Sequence, residues 1–202
     1  MPNPEAYDLA QVLDDYVVAG RKVPYDADGA FSGGYSPAGT WLRSNPHRLH
    51  LGQIGLHLLR SDGAEAQIED LENTTQKLNL WTGLLTSRFE FNGRPVSVQT
   101  VCHPRRDVLA VRIESPLLSD GRLTVRVAFP YAGTDWRNAA DWSSPDRHTT
   151  TGRMLDAGID LTRVLDQNRY YMRITWSDGG HIEAKAPHLY DCLLYTSDAA
   201  DE

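Results

Sequence analysis

The sequence predicts a mainly β chain folded as an antiparallel β-sandwich, with one short helix near its N-terminus. Three observations predict it. From residue 49 onward, apolar and polar residues alternate over short runs, the period of a half-buried strand. Asn92-Gly93 separates two such runs, and this pair suits a two-residue hairpin turn whose central residues both need positive φ. Between the remaining runs, clusters of Gly, Pro, Asp and Ser recur at hairpin spacing.

In chain order, Leu9, Val12, Leu13, Tyr16 and Val17 recur at i, i+3, i+4, i+7 and i+8. That is the stripe of a short amphipathic helix, with Pro4 before it and Gly20 after it as boundary signals. Residues 24–40, "PYDADGAFSGGYSPAGT", read as a loop. "LHLGQIGLHLL" is the first strong strand, and its phase slip near Gly52 reads as a bulge. "LNLWTGLL" and "SRFEF" follow, and "RPVSVQTV" returns from the Asn-Gly turn with Val96 and Val98 on one face. "DVLAVRIES" and "GRLTVRVAFPY" read as a strand pair joined by a turn over 116–121. "RYYMRITW", the turn "SDGG" and "HIEAKA" read as a last hairpin. Residues 131–169 interrupt the pattern as a long loop holding two Asp-Trp pairs, Asp135-Trp136 and Asp141-Trp142. Loops of such length in compact domains are commonly functional or interfacial.

The closing run "CLLYTSDAADE", Cys192 to Glu202, has no such period. It back-translates to a transposase adapter used in sequencing-library preparation. It is therefore read as an adapter-derived tail and set apart from the fold, which is expected over 1–191. The formal net charge is −7; without Asp198, Asp201 and Glu202 it is −4, with 24 acidic against 20 basic residues. No basic stripe dominates the sequence, which argues against nucleic acid or an anionic membrane surface as partner. No apolar run approaches the ~20 residues of a membrane-spanning helix. "MPNPEAYDL" has no signal-peptide pattern, and the compartment is left open. With Cys192 in the tail, Cys102 stands alone, so no disulfide framework is inferred, and Cys102 is expected as a small core residue.

Four groups of residues bear on chemistry. In "TWLRSNPHRLHLG", Trp41, Arg43, His47 and Arg48 offer a stacking face and hydrogen-bond donors for hydroxyl or anionic groups. The plainer alternative is a packed Trp and ordinary salt bridges leading into the first strand. His47, His50, His57 and His103 do not have the convergent spacing that a metal site of three or four ligands requires, and no metal or other cofactor is expected. The loop residues Trp136, Asp141 and Trp142, with Asp135 and Asp146, place carboxylates beside aromatics, as glycosidases do. Glycoside hydrolysis needs two carboxyl groups ~5–5.5 Å or ~6.5–9.5 Å apart, a separation that spacing does not fix, and an Asp in such a loop more often caps a turn. Finally, GxSxG, GxxxxGK[ST], GxGxxG and HExxH are all absent, and Cys102-His103 are strand neighbours that point apart. No catalytic residue is assigned.

Read as a whole, "TQKLNLWTGLLTSRFEFNGRPVSVQTVCHPRRDVLAVRIESPLLSDGRLTVRVAFPY" combines a Thr-Gly hairpin, "HP-x-x-D-x-LAVRI-x-S" and an "FPY" strand end. It resembles the N-terminal β-sandwich of bacterial six-hairpin glycosidase-like proteins, akin to glycoside hydrolase families 65 and 95. "WLRSNPHRLHLGQIGL" and "GTDWRNAADWSSPDRHTT" resemble one branch of that group, and the likeness runs over roughly 1–190. The resemblance implies a supersandwich-like domain, here incomplete. It also implies that an (α/α)6 barrel bearing the catalytic carboxylates follows in the parent, and that Met1 is internal. The implied role is non-catalytic: bracing the barrel as partner and lending Trp41, Arg43, His47, Arg48, Trp136, Asp141 or Trp142 to the sugar rim or the domain interface. On this reading the fragment alone is inactive. A free-standing carbohydrate-binding module is the alternative.

Overall fold

The structure is a computed structural model that describes residues 8–26, 36–43, 49–133, 138–177 and 179–194; for Leu9, Asp26, Trp41, Leu42 and Arg43 it describes the backbone alone. It is mainly β and antiparallel, sandwich-like, with one short helix. The chain divides into two compact units, Met1–Leu51 with Pro130–Ser144, and Gly52–Phe129 with Pro145–Glu202.

In the first unit, the helix expected over Leu9–Val17 is not formed. A 3₁₀ turn at Leu9–Gln11 leads into a hairpin, β1 (Leu13–Val18) and β2 (Arg21–Asp26). The turn residues Ala19 and Gly20 both have positive φ, 48° and 77°, which matches the right-handed twist of the flanking strands. The hairpin prevails because so short a helix is marginal in water, whereas Tyr16 and Tyr25 meet diagonally across β1–β2 with ring centroids 5.8 Å apart. The helix that does form, α1 (Pro37–Arg43), lies in the tract read as loop. Ser36 caps it, its Oγ accepting from Gly39 N at 3.1 Å, and Pro37 occupies the first turn, where its missing N–H costs nothing. A short ladder, β9 (Tyr131–Ala132) and β10 (Ala140–Asp141), completes the unit.

The second unit holds three sheets. A central sheet runs β14-β15-β8-β3, from β3 (Gln53–Leu58), β8 (Leu123–Ala128), β14 (Gly180–Ala186) and β15 (Leu189–Leu194). A four-stranded meander follows chain order: β4 (Leu71–Asn79), β5 (Leu84–Phe91), β6 (Arg94–Cys102) and β7 (Leu109–Glu114). Asn92 and Gly93 have φ of 51° and 66°, the expected hairpin turn between β5 and β6. A three-stranded meander, β11 (His148–Leu155), β12 (Gly158–Leu165) and β13 (Asn168–Thr175), fills much of the tract read as a long loop.

Two expected hairpins are not hairpins. β7 pairs with β6 while β8 pairs with β3 and β15. Likewise β13 pairs with β12 while β14 pairs with β15. The link between β7 and β8 is a buried corner, with Leu117 and Leu118 inside the core and Leu123 N donating to Leu117 O at 3.1 Å.

One apolar face of the central sheet carries both cores. Val127, Tyr190, Cys192 and Ile182 pack with Ile159 and Leu161 of the three-stranded sheet. Leu58 and Leu123 pack with Phe91 and Val96 of the meander and with Leu117. Leu194 touches both clusters. The strand β15 thus crosses the boundary drawn after Asp191, and Tyr190, Cys192 and Leu194 alternate inward. Cys192 is buried and its thiol is pushed up to about 11 by desolvation, whereas Cys102, expected in the core, is exposed. Gly52, read as a bulge, has φ +139°, and a Cβ there would stand 2.8 Å from the Phe129 ring; only glycine fits where β3 begins.

Candidate functional site

Of the residues singled out, Asp141 and Trp142 are described in full, while α1 carries the backbone of Trp41 and Arg43. His47, Arg48 and Trp136, with Asp135, lie outside the described residues. The backbone of α1 and the pair Asp141-Trp142 belong to the same compact unit. Trp142 is half-exposed, and the His50 ring meets it nearly edge-on, with centroids 6.3 Å apart and planes at 68°. Asp141 Oδ1 accepts from Ser143 N at 2.8 Å and Ser143 Oγ at 2.6 Å, and its Oδ2 accepts from Ser144 Oγ at 2.7 Å. This is the turn-capping geometry of aspartate.

The polar face of the central sheet carries a network that sequence reasoning missed. Arg126 on β8 and Asp191 on β15 are direct cross-strand partners, and Gly55 on the other side of Arg126 leaves its side chain room. Arg126 Nε and Nη2 donate to the two Asp191 oxygens at 2.8 and 3.1 Å, and Nη1 donates to Glu65 at 2.9 Å. His57 is held between Glu65 at 3.0 Å and Asp191 at 3.5 Å. Hydrogen bonds from Arg126 hold both carboxyls below their ordinary range. A glycosidase acid needs the opposite shift, so this pair is a clamp and supplies no proton near neutral pH. The alternation at Gly55, His57 and the Thr124/Arg126 pair was readable as an outward face; that Asp191 would close it was not.

On the inner face of the three-stranded sheet, Arg163 is fully buried, with Thr150 and Tyr170 as its direct cross-strand neighbours. Its Nη1 donates to His148 Nδ1 and to Thr150 Oγ1, each at 2.6 Å, and its Nε to Tyr170 Oη at 3.2 Å. The guanidinium also sits 4.9 Å from the Phe129 ring centroid. His148 and His188 stack at 3.8 Å. A guanidinium only donates, so His148 Nδ1 carries the lone pair. His188 Nε2 donates to Pro145 O at 2.9 Å, which leaves its Nδ1 to accept from the Thr150 hydroxyl at 2.7 Å. A Thr-His pair of this kind suggests a nucleophile, but the Thr150 oxygen is itself taken by Arg163. The arrangement is a latch that ties the β14–β15 turn to β11.

The chain matches no protein-family model, no curated protein and no solved structure.

Among the described residues, no three His, Cys, Asp or Glu side chains gather so as to hold a metal, and no helix is long and apolar enough to cross a membrane. The one buried carboxylate among the described residues, Asp191, is engaged by Arg126. Of the described residues of the first unit, Trp142 is half-exposed, with the His50 ring centroid 6.3 Å from its own.

Proposed function

We propose that the chain is a non-catalytic β-sandwich domain of a carbohydrate-active enzyme, a glycoside hydrolase or phosphorylase, that braces a helical catalytic barrel and lends Trp142 to the rim of the sugar site. One observation carries this reading: half-exposed Trp142, with the His50 ring beside it, lies in the compact unit that also contains α1. A free-standing carbohydrate-binding module is the second reading, favoured by a further exposed aromatic, Tyr171, on the outer face of the three-stranded sheet.

Titration of the whole chain with neutral oligosaccharides, read by tryptophan fluorescence, separates the two. A bracing domain binds at about millimolar or weaker, ~4 kcal/mol, and Trp142→Ala abolishes that response. Affinity far tighter than this moves the module ahead. Sequencing the source locus across both ends of the reading frame tests the parent: an open frame into helical repeats bearing carboxylates supports the enzyme, and a stop codon soon after Tyr190 overturns it.

A further inference from the structure

Tyr171 lies on β13 with its side chain 73% exposed, on the face opposite Leu161 and Met172. Its cross-strand neighbours are Thr162 and, beyond it, Thr151, side chains too small to cover the ring. The next rung of the same face is Arg173, Asp160 and Arg153 in direct register. Asp160 accepts from Arg153 Nη2 at 2.6 Å and from Arg173 Nε and Nη2 at 2.6 and 2.9 Å. Both guanidiniums are thereby fixed in position while remaining 73% and 62% exposed at the side chain. Among the described residues, Arg153 Nε and Nη1 and Arg173 Nη1 have no hydrogen-bond partner. With Arg169 on the same side of β13, this face sets three arginines against one carboxylate in a chain whose net charge is −7. A shallow depression of about 670 Å³ lies over Thr151, Arg153, Asp160, Tyr171 and Arg173.

We propose that the outer face of the β11–β12–β13 sheet binds an acidic saccharide, with Tyr171 stacking on a sugar ring and the Arg153–Arg173 pair taking its carboxylate. The proposal rests on the carbohydrate reading above and names a substrate class for it. Tyr171 and Arg173 are two residues apart on one strand, ~6.6 Å along it, a span suited to a pyranose ring and its exocyclic carboxylate. The free guanidinium edges are planar donor pairs, which match a carboxylate better than a lone hydroxyl. Single-stranded nucleic acid is the other polyanion with stackable rings. It is disfavoured here because it uses successive aromatic platforms along a basic groove, whereas this face has one aromatic and the chain as a whole is acidic.

Titrating the full chain with an oligogalacturonate, a neutral cello-oligosaccharide and an oligo-dT strand tests this. The oligogalacturonate is expected to bind, with affinity falling as salt rises and falling at least tenfold in Tyr171→Ala and in Arg153→Gln. Both positions are exposed, and an unchanged thermal midpoint checks that the fold is intact. Oligogalacturonate binding indifferent to both substitutions overturns the site, and oligo-dT binding that is equal or tighter overturns the ligand class. If the neutral sugar binds through Trp142 but oligogalacturonate does not bind, this inference fails while the proposed function stands. If no saccharide binds, this inference fails and the binding-module reading with it, while the bracing reading is decided by the sequence of the source locus.

Discussion

Arg163 and His188 are the residues whose environments are most specific. Replacing Arg163 by Met keeps the length of the side chain but removes the donors that His148 Nδ1 and Thr150 Oγ1 receive. The expected loss is about 2 kcal/mol of unfolding free energy, the cost of buried acceptors left unsatisfied, read from the urea midpoint. His188 follows Pro187 in a turn and has φ +64°, a conformation suited to glycine. His188→Ala and His188→Gly both lose the bonds to Thr150 and Pro145, but only glycine relaxes the backbone. The glycine variant is therefore expected to be more stable than the alanine variant by about 1 kcal/mol, and equal stabilities overturn the strain argument. Asp160 shows the same logic in acid. Hydrogen bonds from Arg173 and Arg153 lower its carboxyl from 3.8 to about 2. A carboxyl depressed in the folded state stabilises above its unfolded value, and that contribution disappears as pH falls through the folded one. Stability should therefore decline between about pH 4 and 2, and Asp160→Asn should flatten that decline in a pH series of melts. Asp191, lowered chiefly by Arg126, acts in the same direction.

At the scale of elements, what the sequence made legible was local. The β5–β6 hairpin could be read because Asn92-Gly93 specifies its own turn, and inward Val96 and Val98 needed no distant partner to be seen. Pairing was not legible where the partner is remote: the alternation of Leu123, Val125 and Val127 says that β8 has an apolar face, but not that β15 lies beside it. β12 escaped for a different reason. Its inward positions are Ile159, Leu161, Arg163 and Leu165, and an arginine at the third erases the period that would have revealed a strand. The corner at 115–122 looked like a hairpin turn because Pro116 and Gly121 punctuate it. Its real signal was Leu117 and Leu118, two leucines with no reason to be in an exposed turn. Leu117→Ala should cost about 3 kcal/mol, since the side chain is wholly buried where the chain changes sheets, and a loss under about 1 kcal/mol would mean the corner is not a core element. The candidate site divides in the same way. Asp141-Trp142 stood out as a pair, whereas Tyr171 became meaningful only once register placed it beside Arg173, Asp160 and Arg153.

For the molecule as a whole, apolar surface is unevenly covered. Phe91, Val96 and Leu117 close one end of the meander, yet Leu78, Leu109 and Val111 on its far half are exposed, with Leu80 and Trp81 bare in the β4–β5 turn. Exposed apolar area of this kind promotes association. Light scattering is expected to report a mass that rises with concentration, and Val111→Lys should reduce the rise; a mass independent of concentration would remove the expectation. The contrast between the two thiols has a practical consequence of another sort. Cys102 is open to solvent, while Cys192 is enclosed in the central sheet and protonated at neutral pH. A maleimide reagent should therefore modify the native chain once, quickly, and then wait. The second, slow modification can proceed only when β15 comes away from its neighbours, so its rate is a built-in clock for how often the middle of the protein opens.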